Sequence, residues 1–458
     1  MSPATAQIST LFKVIIVGGG IAGLTLALML ERNRIEYLLI EAYPEISSPV
    51  GGGVGLTPNG LRILDQLGCY ETLLKLSENP VDKAYYHGPD EQVLRSIEDL
   101  HRLSCERHGY PVIFVDRAML VHVLFDHLRD KSKVLTRKRV TTVIKADHEA
   151  QVITQDGSTY SADIVVGTDG VHSVIRQEIK RHAHEAGVGH IYLEDDKIPA
   201  TYACIFGMST AVPGIASDSV HYTFREKSSY VIGAGPKDRT YWFLNVHMDQ
   251  TFYGTGIPKF TRKDEAKVVQ QHWNDHIAPG VRFADLYHRK LTSLYTPLRE
   301  YVHSKWYFGR MLTIGDASHQ ILPIAGQGAN SAIESAASLM NCLFKALSSP
   351  LTPGRPSSME LGLVFEAVQQ QRIPRVQWLL ENANQRQQLE AMETPEHKEA
   401  ATNQIPNLTF DHIFSKWQST YASAVSLQMV DMPSKPRTCL FQDEMHSAKS
   451  TGQNRANL

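Results

Sequence analysis

The sequence predicts an α/β fold (α+β overall) in which a nucleotide-binding domain carries an inserted mixed β-sheet and C-terminal helices. Three observations predict it. Residues 12–41 read as a strand, a Gly-rich turn, a helix and a second strand. Aromatic, strand-like segments fill about residues 186–299. Residues 306–346 again read as a strand, a Gly-containing loop and a helix, as the first segment does. From about residue 361 the apolar residues recur at helical spacing instead.

The first element is a Rossmann-like βαβ unit. An apolar strand (14–17) runs into three glycines, a helix follows over about residues 21–32, and a second strand (37–40) ends at Glu41. Residues 12–30 are also about as long and as apolar as a membrane span. The glycines in the middle of this stretch and its charged exit, ERNR, argue against a span. The unit therefore favours dinucleotide binding.

The glycine spacing indicates which ligand fits. Gly18 makes the tight turn, Gly20 lets the backbone approach a pyrophosphate, and Gly23 lets the helix pack closely on the strand. Free N–H groups at the helix N-terminus face the phosphates. Glu41 follows Gly18 near the spacing of ~20 residues expected for a carboxylate that binds a ribose diol. These residues alone cannot distinguish NAD from FAD.

A second Gly-rich segment, SSPVGGGVGLTPN, covers residues 47–59. It is either a flexible loop or a place where the backbone approaches a flat ring system. Residues 80–107 predict a hairpin, and PVIFVDRAMLVHVLFDHLRD predicts a short strand followed by a helix. Asp116 suits the N-cap of that helix. Arg117 lies at the N-terminus of that helix, where the positive end of the helix dipole disfavours a cation. We therefore infer an anionic or electron-rich partner for it.

A third turn lies in the motif GTDGVHSVIR. Before it, residues 134–166 alternate apolar and polar, with a hairpin turn at Asp156-Gly157. The motif itself places Asp169-Gly170 between a strand and a helix. A strand-to-helix turn that needs glycine and a capping aspartate would explain much of this pattern.

The segment over 186–299 is rich in strand-forming aromatic residues. Such residues usually fill a sheet face, but a sheet with this many also offers an apolar wall for a greasy substrate. The aromatic residues concerned are Tyr222, Phe224, Tyr230, Tyr241, Trp242 and Phe243.

Residues 306–346 contain a strand that ends at Gly315-Asp316, followed by a helix that begins in the motif GQGAN. Asp316 thus lies at the carboxyl end of a strand, where α/β sheets bind ligands. The helix start offers N–H groups and a positive dipole end to a negative group. Long helices follow with a kink or break at Pro374. The polar residues after about 433 predict disorder.

Composition excludes several classes of protein. A net charge of −2 and a pI near 6.9 give no reason to expect nucleic acid. Five scattered cysteines fit a reducing compartment better than a disulfide framework. We find no secretory signal and no transmembrane helix, and we expect a cytoplasmic protein, with peripheral contact to an intracellular membrane as the alternative. The spacing of His182, His184 and His190 matches no established metal site, so we expect no metal.

Together, three separated motifs resemble a known family. GGGIAG with Glu41, GTDGVHSVIR and GDASHQILPIAGQGAN resemble the flavin-binding signatures of single-component, class A aromatic-hydroxylase-type FAD-dependent monooxygenases. Within that group, GLTPNGLRILDQLGCYE and the helix at Asp116-Arg117 look like fungal FAD-dependent monooxygenases and epoxidases of meroterpenoid and indole-diterpene pathways. Many of those proteins have an apolar C-terminal membrane segment that this sequence lacks, which argues against membrane attachment.

The resemblance implies a role for each matching position. Gly18, Gly20 and Gly23 would hold the FAD pyrophosphate, and Glu41 the adenosine ribose. Gly55 would contact the cofactor.

Further positions would lie nearer the flavin ring. Arg117 would lie near the flavin and ribityl chain, and Asp316 would hold that chain. Asp169 and Gly170 would serve both FAD and the transient pyridine nucleotide. Ala329 would lie on the helix that points at the flavin pyrimidine.

The reaction implied begins with hydride transfer from NADPH or NADH to FAD. O2 then adds to give a flavin C4a-hydroperoxide, whose distal oxygen passes to an electron-rich carbon. We expect epoxidation or hydroxylation of an apolar prenylated, terpenoid or polyketide-derived small molecule in secondary metabolism. Tyr222 is the nearest match to a catalytic tyrosine proposed in such enzymes. A flavin oxidase or dehydrogenase without oxygen transfer, or a non-catalytic flavoprotein, is the alternative.

The same reasoning divides the chain into segments. The expected segments are a discontinuous FAD-binding domain (1–80, 107–185 and 300–350), a substrate-binding sheet domain (81–106 and 186–299), C-terminal helices (351–432) and a disordered tail (433–458).

Overall fold

A computed structural model describes residues 12–47, 52–145, 148–192, 197–348 and 355–445. Its strands are β1 (Lys13–Val17), β2 (Glu36–Ile40), β3 (Gly53–Leu56), β4 (Lys83–His87), β5 (Val93–Ile97), β6 (Ile113–Asp116), β7 (Val134–Leu135), β8 (Val140–Lys145), β9 (Ala150–Thr154), β10 (Thr159–Ala162), β11 (Ile164–Gly167), β12 (Pro199–Thr210), β13 (Ser219–Arg225), β14 (Ser228–Gly235), β15 (Arg239–Tyr253), β16 (His276–Ala278), β17 (Val281–Arg282), β18 (Lys290–Leu298), β19 (Tyr301–Val302), β20 (Tyr307–Phe308), β21 (Met311–Thr313) and β22 (His319–Gln320).

Helices connect and cover these strands. They are α1 (Ile21–Arg32), α2 (Pro58–Gln66), α3 (Tyr70–Ser77), α4 (Leu100–His108), α5 (Arg117–Asp126), α6 (Val174–Glu185), α7 (Arg262–His272), α8 (Phe283–His288), α9 (Gly328–Leu347), α10 (Ser358–Glu390), α11 (Pro395–Glu399) and α12 (Phe410–Ala422).

A six-stranded sheet, in the order β20-β21-β11-β1-β2-β7, organises the part of the chain that contains the predicted βαβ unit. All neighbours pair in parallel except β20, which runs antiparallel at one edge. Parallel sheets of this kind are covered on both faces, which explains the continuous apolar run in β1. Val14 and Ile16 pack with α1 and α9, whereas Ile15 and Val17 pack with α6 and strands β8 and β9. The predicted βαβ unit is confirmed.

The second sheet is mixed, as the sequence predicts, and has the order β18-β12-β15-β14-β13-β4-β5. Strands β4 and β5 form the predicted hairpin and join the sheet through parallel pairing of β4 with β13. Alternation along the strands gives this sheet two different faces. One face packs on α7 and α8 through residues such as Trp242 and Leu244. The opposite face packs against α10 and strand β6, through residues such as Val231 and Phe243.

Helix α10 differs from the prediction at Pro374. Of the predicted kink or break, the break is wrong, because a single helix runs from Ser358 through Pro374 to Glu390. A proline inside a helix removes one N–H donor and its ring crowds the carbonyl four residues earlier, which costs about 3 kcal/mol. Arg372 and Arg375, on either side of it, are both hydrogen-bonded to α9 and hold the helix in place. Within the described residues, every helix falls short of the length or the hydropathy needed to cross a bilayer.

The structure also differs from the predicted disordered tail over residues 433–445. Phe441 is buried, and the Arg62 guanidinium lies 3.8 Å from the centre of its ring. The same arginine pairs with Asp443 at 3.0 Å. A few specific contacts therefore order a segment whose composition is mostly polar, and composition alone cannot show them. The rest of that prediction, residues 446–458, lies outside the described residues.

Candidate active site

The carboxyl ends of four neighbouring parallel strands bring together residues that are far apart in sequence. Gly18 follows β1, Glu41 follows β2, Asp169 follows β11 and Asp316 follows β21. This edge is where α/β sheets bind ligands. The sequence motifs therefore contribute to one cleft.

Two positions of the first turn require glycine. Gly18 has φ of +109°, and a Cβ there would lie 2.7 Å from the carbonyl oxygen of Thr168. A Cβ on Gly23 would lie 2.0 Å from the carbonyl oxygen of Gly18. The amide of Gly18 donates to the carbonyl of Ile40 at 2.8 Å, which links β1 to β2. The contact between Gly23 and Gly18 packs the first turn of α1 directly against the end of β1.

The N-terminus of α1 faces the cleft without a side-chain cap. Gly20 occupies the N-cap position and therefore has no side chain to give a capping hydrogen bond. The first N–H groups of a helix need a partner and attract anions. Arg117 Nη2 lies 3.7 Å from the point that a Cβ on Gly20 would occupy. A helix N-terminus and a guanidinium thus face the same space, which fits a pyrophosphate.

Glu41 is held in a fixed orientation at the end of β2. The side chain is buried, and its Oε2 accepts from the amide of Gly19 at 2.6 Å. Its Oε1 accepts from the amide of Tyr43 at 2.8 Å. A carboxylate has about four lone-pair sites, so capacity is left for the hydroxyls of a ribose.

Asp316 lies in the turn after β21, with its side chain open to the cleft. The protein walls around it desolvate the carboxyl and raise its pKa to about 6, and the positive charge of Arg117 opposes that rise. A Cβ on Gly315 would lie 3.2 Å from the Cβ of Ala22. The turn that carries Asp316 therefore packs against the first turn of α1.

The carboxylate of Asp169 is used inside the protein. Its Oδ2 accepts from the amides of Val174 at 2.7 Å and Ile175 at 3.2 Å, and its Oδ1 accepts from the Ser173 hydroxyl. Ser173, rather than Asp169, is the N-cap of α6. Burial raises the pKa of Asp169. Gly170, next to it, has φ of +76° and permits the turn.

Gly55 and Ala329 lie on elements that are bound to each other. Ala329 is in the first turn of α9, and its neighbour Asn330 donates through Nδ2 to the carbonyl of Gly55 at 3.0 Å. Asn330 Oδ1 accepts from the amide of Thr57 at 3.2 Å. The start of α9 is therefore fixed beside strand β3.

Sequence reasoning missed a buried ionic cluster beneath that helix start. Glu334 is fully buried and accepts hydrogen bonds from Arg372, Arg375 and Asn59. Burial alone would raise the pKa of Glu334, but the two guanidinium groups hold it well below the usual range of a carboxyl. A charged residue inside the small-residue run SAIESAAS was the available signal.

The ionic cluster connects to the cleft through hydrogen bonds. Asn59 Nδ2 also donates to Gln327 Oε1 at 2.9 Å, and Gln327 Nε2 donates to Thr57 Oγ1 at 3.2 Å. All three side chains are buried. The C-terminal helix α10 is thereby linked to the start of α9.

Tyr222 belongs to a cross-strand row on the sheet face that looks toward the cleft. A Cβ on Gly52 would lie 3.8 Å from Phe206, so the row begins beside the second Gly-rich segment. At its other end, Tyr222 stacks on Tyr86 with ring centroids 5.1 Å apart. We call this set the aromatic row, and its members in order are Phe206, Phe243, Val231, Tyr222 and Tyr86.

Asp116 occupies the N-cap position of α5 but gives no capping hydrogen bond, so the prediction of a side-chain cap is wrong. Its carboxylate instead accepts from the Tyr241 hydroxyl and pairs with Arg239. These two partners belong to the second sheet. Asp116 therefore joins the two-stranded ladder of β3 and β6 to the second sheet, directly beside Arg117.

Metal and disulfide chemistry have little support in the described ranges. No group of three or more His, Cys, Asp or Glu side chains there could hold a metal ion. All five cysteines are free thiols.

Comparisons with known proteins agree with this geometry. The family described as FAD binding domain matches residues 12–350. FAD-dependent monooxygenase olcE of Penicillium canescens is 35% identical over 427 residues, covering 93% of this chain and 90% of that protein. FAD-dependent monooxygenase spyC of Aspergillus fumigatus is 38% identical over 339 residues, covering 73% and 70%. The solved structure of Klebsiella pneumoniae HpxO complexed with FAD and uric acid has a similar fold, with a TM-score of 0.73, 22% identity, and coverage of 90% and 97%.

Proposed function

Because this chain belongs to the family of FAD-dependent monooxygenases, we propose that its substrate is an apolar prenylated, terpenoid or polyketide-derived small molecule of secondary metabolism. The proposed reaction is epoxidation or hydroxylation, with NADPH or NADH as the electron donor.

One observation carries the proposal for the substrate. Gly52 lies between the cofactor cleft and the aromatic row. Its carbonyl accepts from the amide of Arg117 at 3.2 Å, and its other side faces Phe206. An apolar wall is therefore placed next to the cation that faces the start of α1, and apolar walls of this type suit a greasy substrate.

We assign FAD to the cleft by the chemistry of its donors. The turn at Gly18, Gly20 and Gly23 would receive the pyrophosphate, with Arg117 as the nearby cation. Glu41 would accept from the adenosine ribose and Asp316 from the ribityl hydroxyls. When bound, FAD supplies the electron transfer and the activation of O2.

The start of α9 would serve the flavin end of the cofactor. Helix α9 is 20 residues long, and a helix N-terminus carries about +0.5 of an elementary charge. Ala329 and Gly55 would bring backbone close to the ring. The two arginines and one glutamate beneath this helix add a net positive charge, which also favours negative charge on a ring above it.

The aromatic row, Asp169 and Gly170 would shape the binding sites and would take no part in the chemical steps. The aromatic row would exclude water from the substrate, which prevents side reactions. Tyr222 would contact the substrate through its phenol. Asp169 and Gly170 would shape the turn at the cofactor and the transient pyridine nucleotide, since the carboxylate of Asp169 is already used within α6.

The test is oxygen incorporation by the FAD-loaded chain. We expect NADPH or NADH consumption that rises when a prenylated candidate is added, and a product that gains one labelled oxygen atom under ¹⁸O2. Labelled water with unlabelled O2 is the control and should leave the product unlabelled. Substrate-dependent flavin reduction without oxygen in the product would contradict the proposal and favour an oxidase or dehydrogenase.

A further inference from the structure

A short connecting segment follows β18 and joins the second sheet to the sheet that carries the cofactor cleft. It contains β19, which pairs antiparallel with β22, just after the turn that carries Asp316. The amide of Glu300 donates to the carbonyl of Pro199, at the start of β12, at 3.1 Å. The amide of His303 donates to the carbonyl of Ser318 at 2.9 Å. The segment is therefore bonded to the second sheet at one end and to the cofactor side at the other.

Tyr301 is the residue of this segment that reaches the turn. Its ring is 7% exposed and belongs to the apolar cluster that packs the second sheet on α7 and α8, together with residues such as Ala200 and Met248. Its phenol hydroxyl donates to the backbone carbonyl of Asp316 at 2.5 Å. Burial, and then the charge of Asp316, raise the pKa of this phenol, so it stays protonated and can donate. One side chain thus joins the second sheet to the turn.

The turn itself is held on more than one side. Gly315 has φ of +64°, and a Cβ there would lie 3.2 Å from the Cβ of Ala22 in α1. Within the turn, the amide of Ser318 donates to the carbonyl of Gly315 at 2.8 Å. The side chain of Asp316, by contrast, is exposed to the cleft. The backbone from which this carboxylate projects therefore lies between α1 and Tyr301.

We propose that Tyr301 is a positioning residue for the cofactor. By holding the carbonyl of Asp316, its hydroxyl would fix the place from which the Asp316 carboxylate accepts from the ribityl chain. Because the Tyr301 ring is packed in the second sheet, that place would also be fixed relative to the aromatic row on the other face of the sheet. This inference rests on the proposed function, since it uses the assignment of Asp316 to FAD.

A second buried tyrosine makes the same kind of hydrogen bond elsewhere. The phenol of Tyr192, which is 3% exposed, donates to the backbone carbonyl of Tyr307 at 2.7 Å. The Tyr192 ring packs on the α6 side of the first sheet, and Tyr307 lies in the edge strand β20. Neither residue is among those that we assign to FAD. Tyr192 is therefore a matched control for the loss of a buried bond from a phenol to a carbonyl.

Removal of single hydroxyl groups tests the proposal. Tyr301→Phe should raise the dissociation constant for FAD about threefold to tenfold, as the loss of one hydrogen bond permits. Tyr192→Phe should leave that constant within about twofold of the wild-type value. Both variants should lose similar stability in urea, because each loses one buried hydrogen bond. Titration of the apoprotein with FAD, followed by flavin fluorescence, gives the dissociation constants.

A double-mutant cycle then shows through which group Tyr301 acts. Asp316→Ala should raise the dissociation constant for FAD about tenfold to hundredfold, since hydrogen bonds to a charged group are lost. In the Asp316→Ala background, Tyr301→Phe should add less than about twofold, because the carboxylate that it positions is gone. In a Glu41→Gln background Tyr301→Phe should keep its full effect, because Glu41 lies at the end of a different strand.

The outcomes separate this inference from the proposed function. An unchanged dissociation constant in Tyr301→Phe or in Asp316→Ala, an equal rise in Tyr192→Phe, or full additivity of Tyr301→Phe with Asp316→Ala would overturn the role of Tyr301. A protein that gives the expected cycle but incorporates no oxygen would keep this role and contradict the proposed function. Oxygen incorporation together with full additivity would do the reverse.

Discussion

Arg375 binds both carboxylate oxygens of Glu334, with Nε 2.6 Å from Oε2 and Nη2 2.8 Å from Oε1. The pair joins α10 to α9, and it lies beneath the helix start that we assign to the flavin. The C-terminal helices are therefore bonded to the cofactor-binding part rather than appended to it.

Loss of the Glu334 charge should destabilise the whole protein. Glu334→Gln would leave the two buried arginines without their counter-ion, and breaking a buried pair in this way costs about 3–5 kcal/mol. The free energy of unfolding in urea measures the loss. Glu366→Gln is the control, because Glu366 pairs with Lys305 at a half-exposed site where about 0–1 kcal/mol is expected. Equal losses in the two variants would show that the buried charge has no special role.

A methyl group at Gly23 should disrupt the turn. Gly23→Ala would place a Cβ 2.0 Å from the carbonyl oxygen of Gly18 and 2.7 Å from Thr168 Oγ1, and overpacking of this kind costs about 1–3 kcal/mol. FAD content and thermal unfolding would both report it.

Gly362→Ala is the matched control for that change. Gly362 lies in α10 with open space where its Cβ would be, so alanine should stabilise the helix by about 0.5–1 kcal/mol. The same FAD content and unfolding temperature in the Gly23→Ala variant and the wild type would mean that the close approach is easily relieved.

Short-range features of the fold could be predicted because their causes are local. The glycine turn, the strand ends and the position of Glu41 follow from the spacing of a few neighbouring residues. The pairing of β4 with β13 could not be predicted, because these strands are more than a hundred residues apart in the sequence. The partners of Glu334 could not be predicted either, because the sequence does not show which residues of α10 face α9. Residues 433–445 escaped prediction for the same reason.

Arg117 shows where prediction from the sequence ends. Its place at a helix N-terminus indicated that something negative must compensate it. The structure brings the carboxyl of Asp316 near enough for Arg117 to lower its pKa against the rise from burial. The residue type revealed the need for a partner, whereas only the folded chain identifies one. The sequence of its neighbour Asp116 predicts a side-chain cap of α5, but in the structure that carboxylate pairs with Arg239 of another sheet.

A buried histidine pair should make stability depend on pH. His87 Nε2 lies 2.9 Å from His221 Nδ1, and burial lowers their pKa values to about 4 and about 3. Unfolded histidine titrates near pH 6.5. Below that pH the unfolded chain binds more protons than the folded one, so the unfolding free energy falls as the pH drops from about 6.5 to 4, by up to about 1.4 kcal/mol per unit for each histidine.

Replacing the pair should reduce that slope, and the buried His108 and His319, whose pKa values burial lowers to about 4 and about 3, should keep part of it. The double variant His87→Gln/His221→Gln should lose less stability between pH 6.5 and 4 than the wild type, as measured by urea unfolding at each pH. His184→Gln, at an exposed position in α6, should keep the wild-type slope. A double variant with an unchanged slope would mean that other groups cause the acid sensitivity.

The carboxylate of Glu41 should determine affinity for FAD. Its two oxygens are fixed by the amides of Gly19 and Tyr43, and hydrogen bonds from a ribose to such a charged group are worth about 1.5–3 kcal/mol. Glu41→Gln should therefore raise the dissociation constant for FAD about tenfold to hundredfold, which titration of the apoprotein with FAD would show as altered quenching of flavin fluorescence. Glu45→Gln makes the same change of charge at an exposed position of the same loop and should bind FAD as the wild type does. If both variants lost affinity equally, the general charge of the loop, and not a bond from Glu41 to the ribose, would explain the effect.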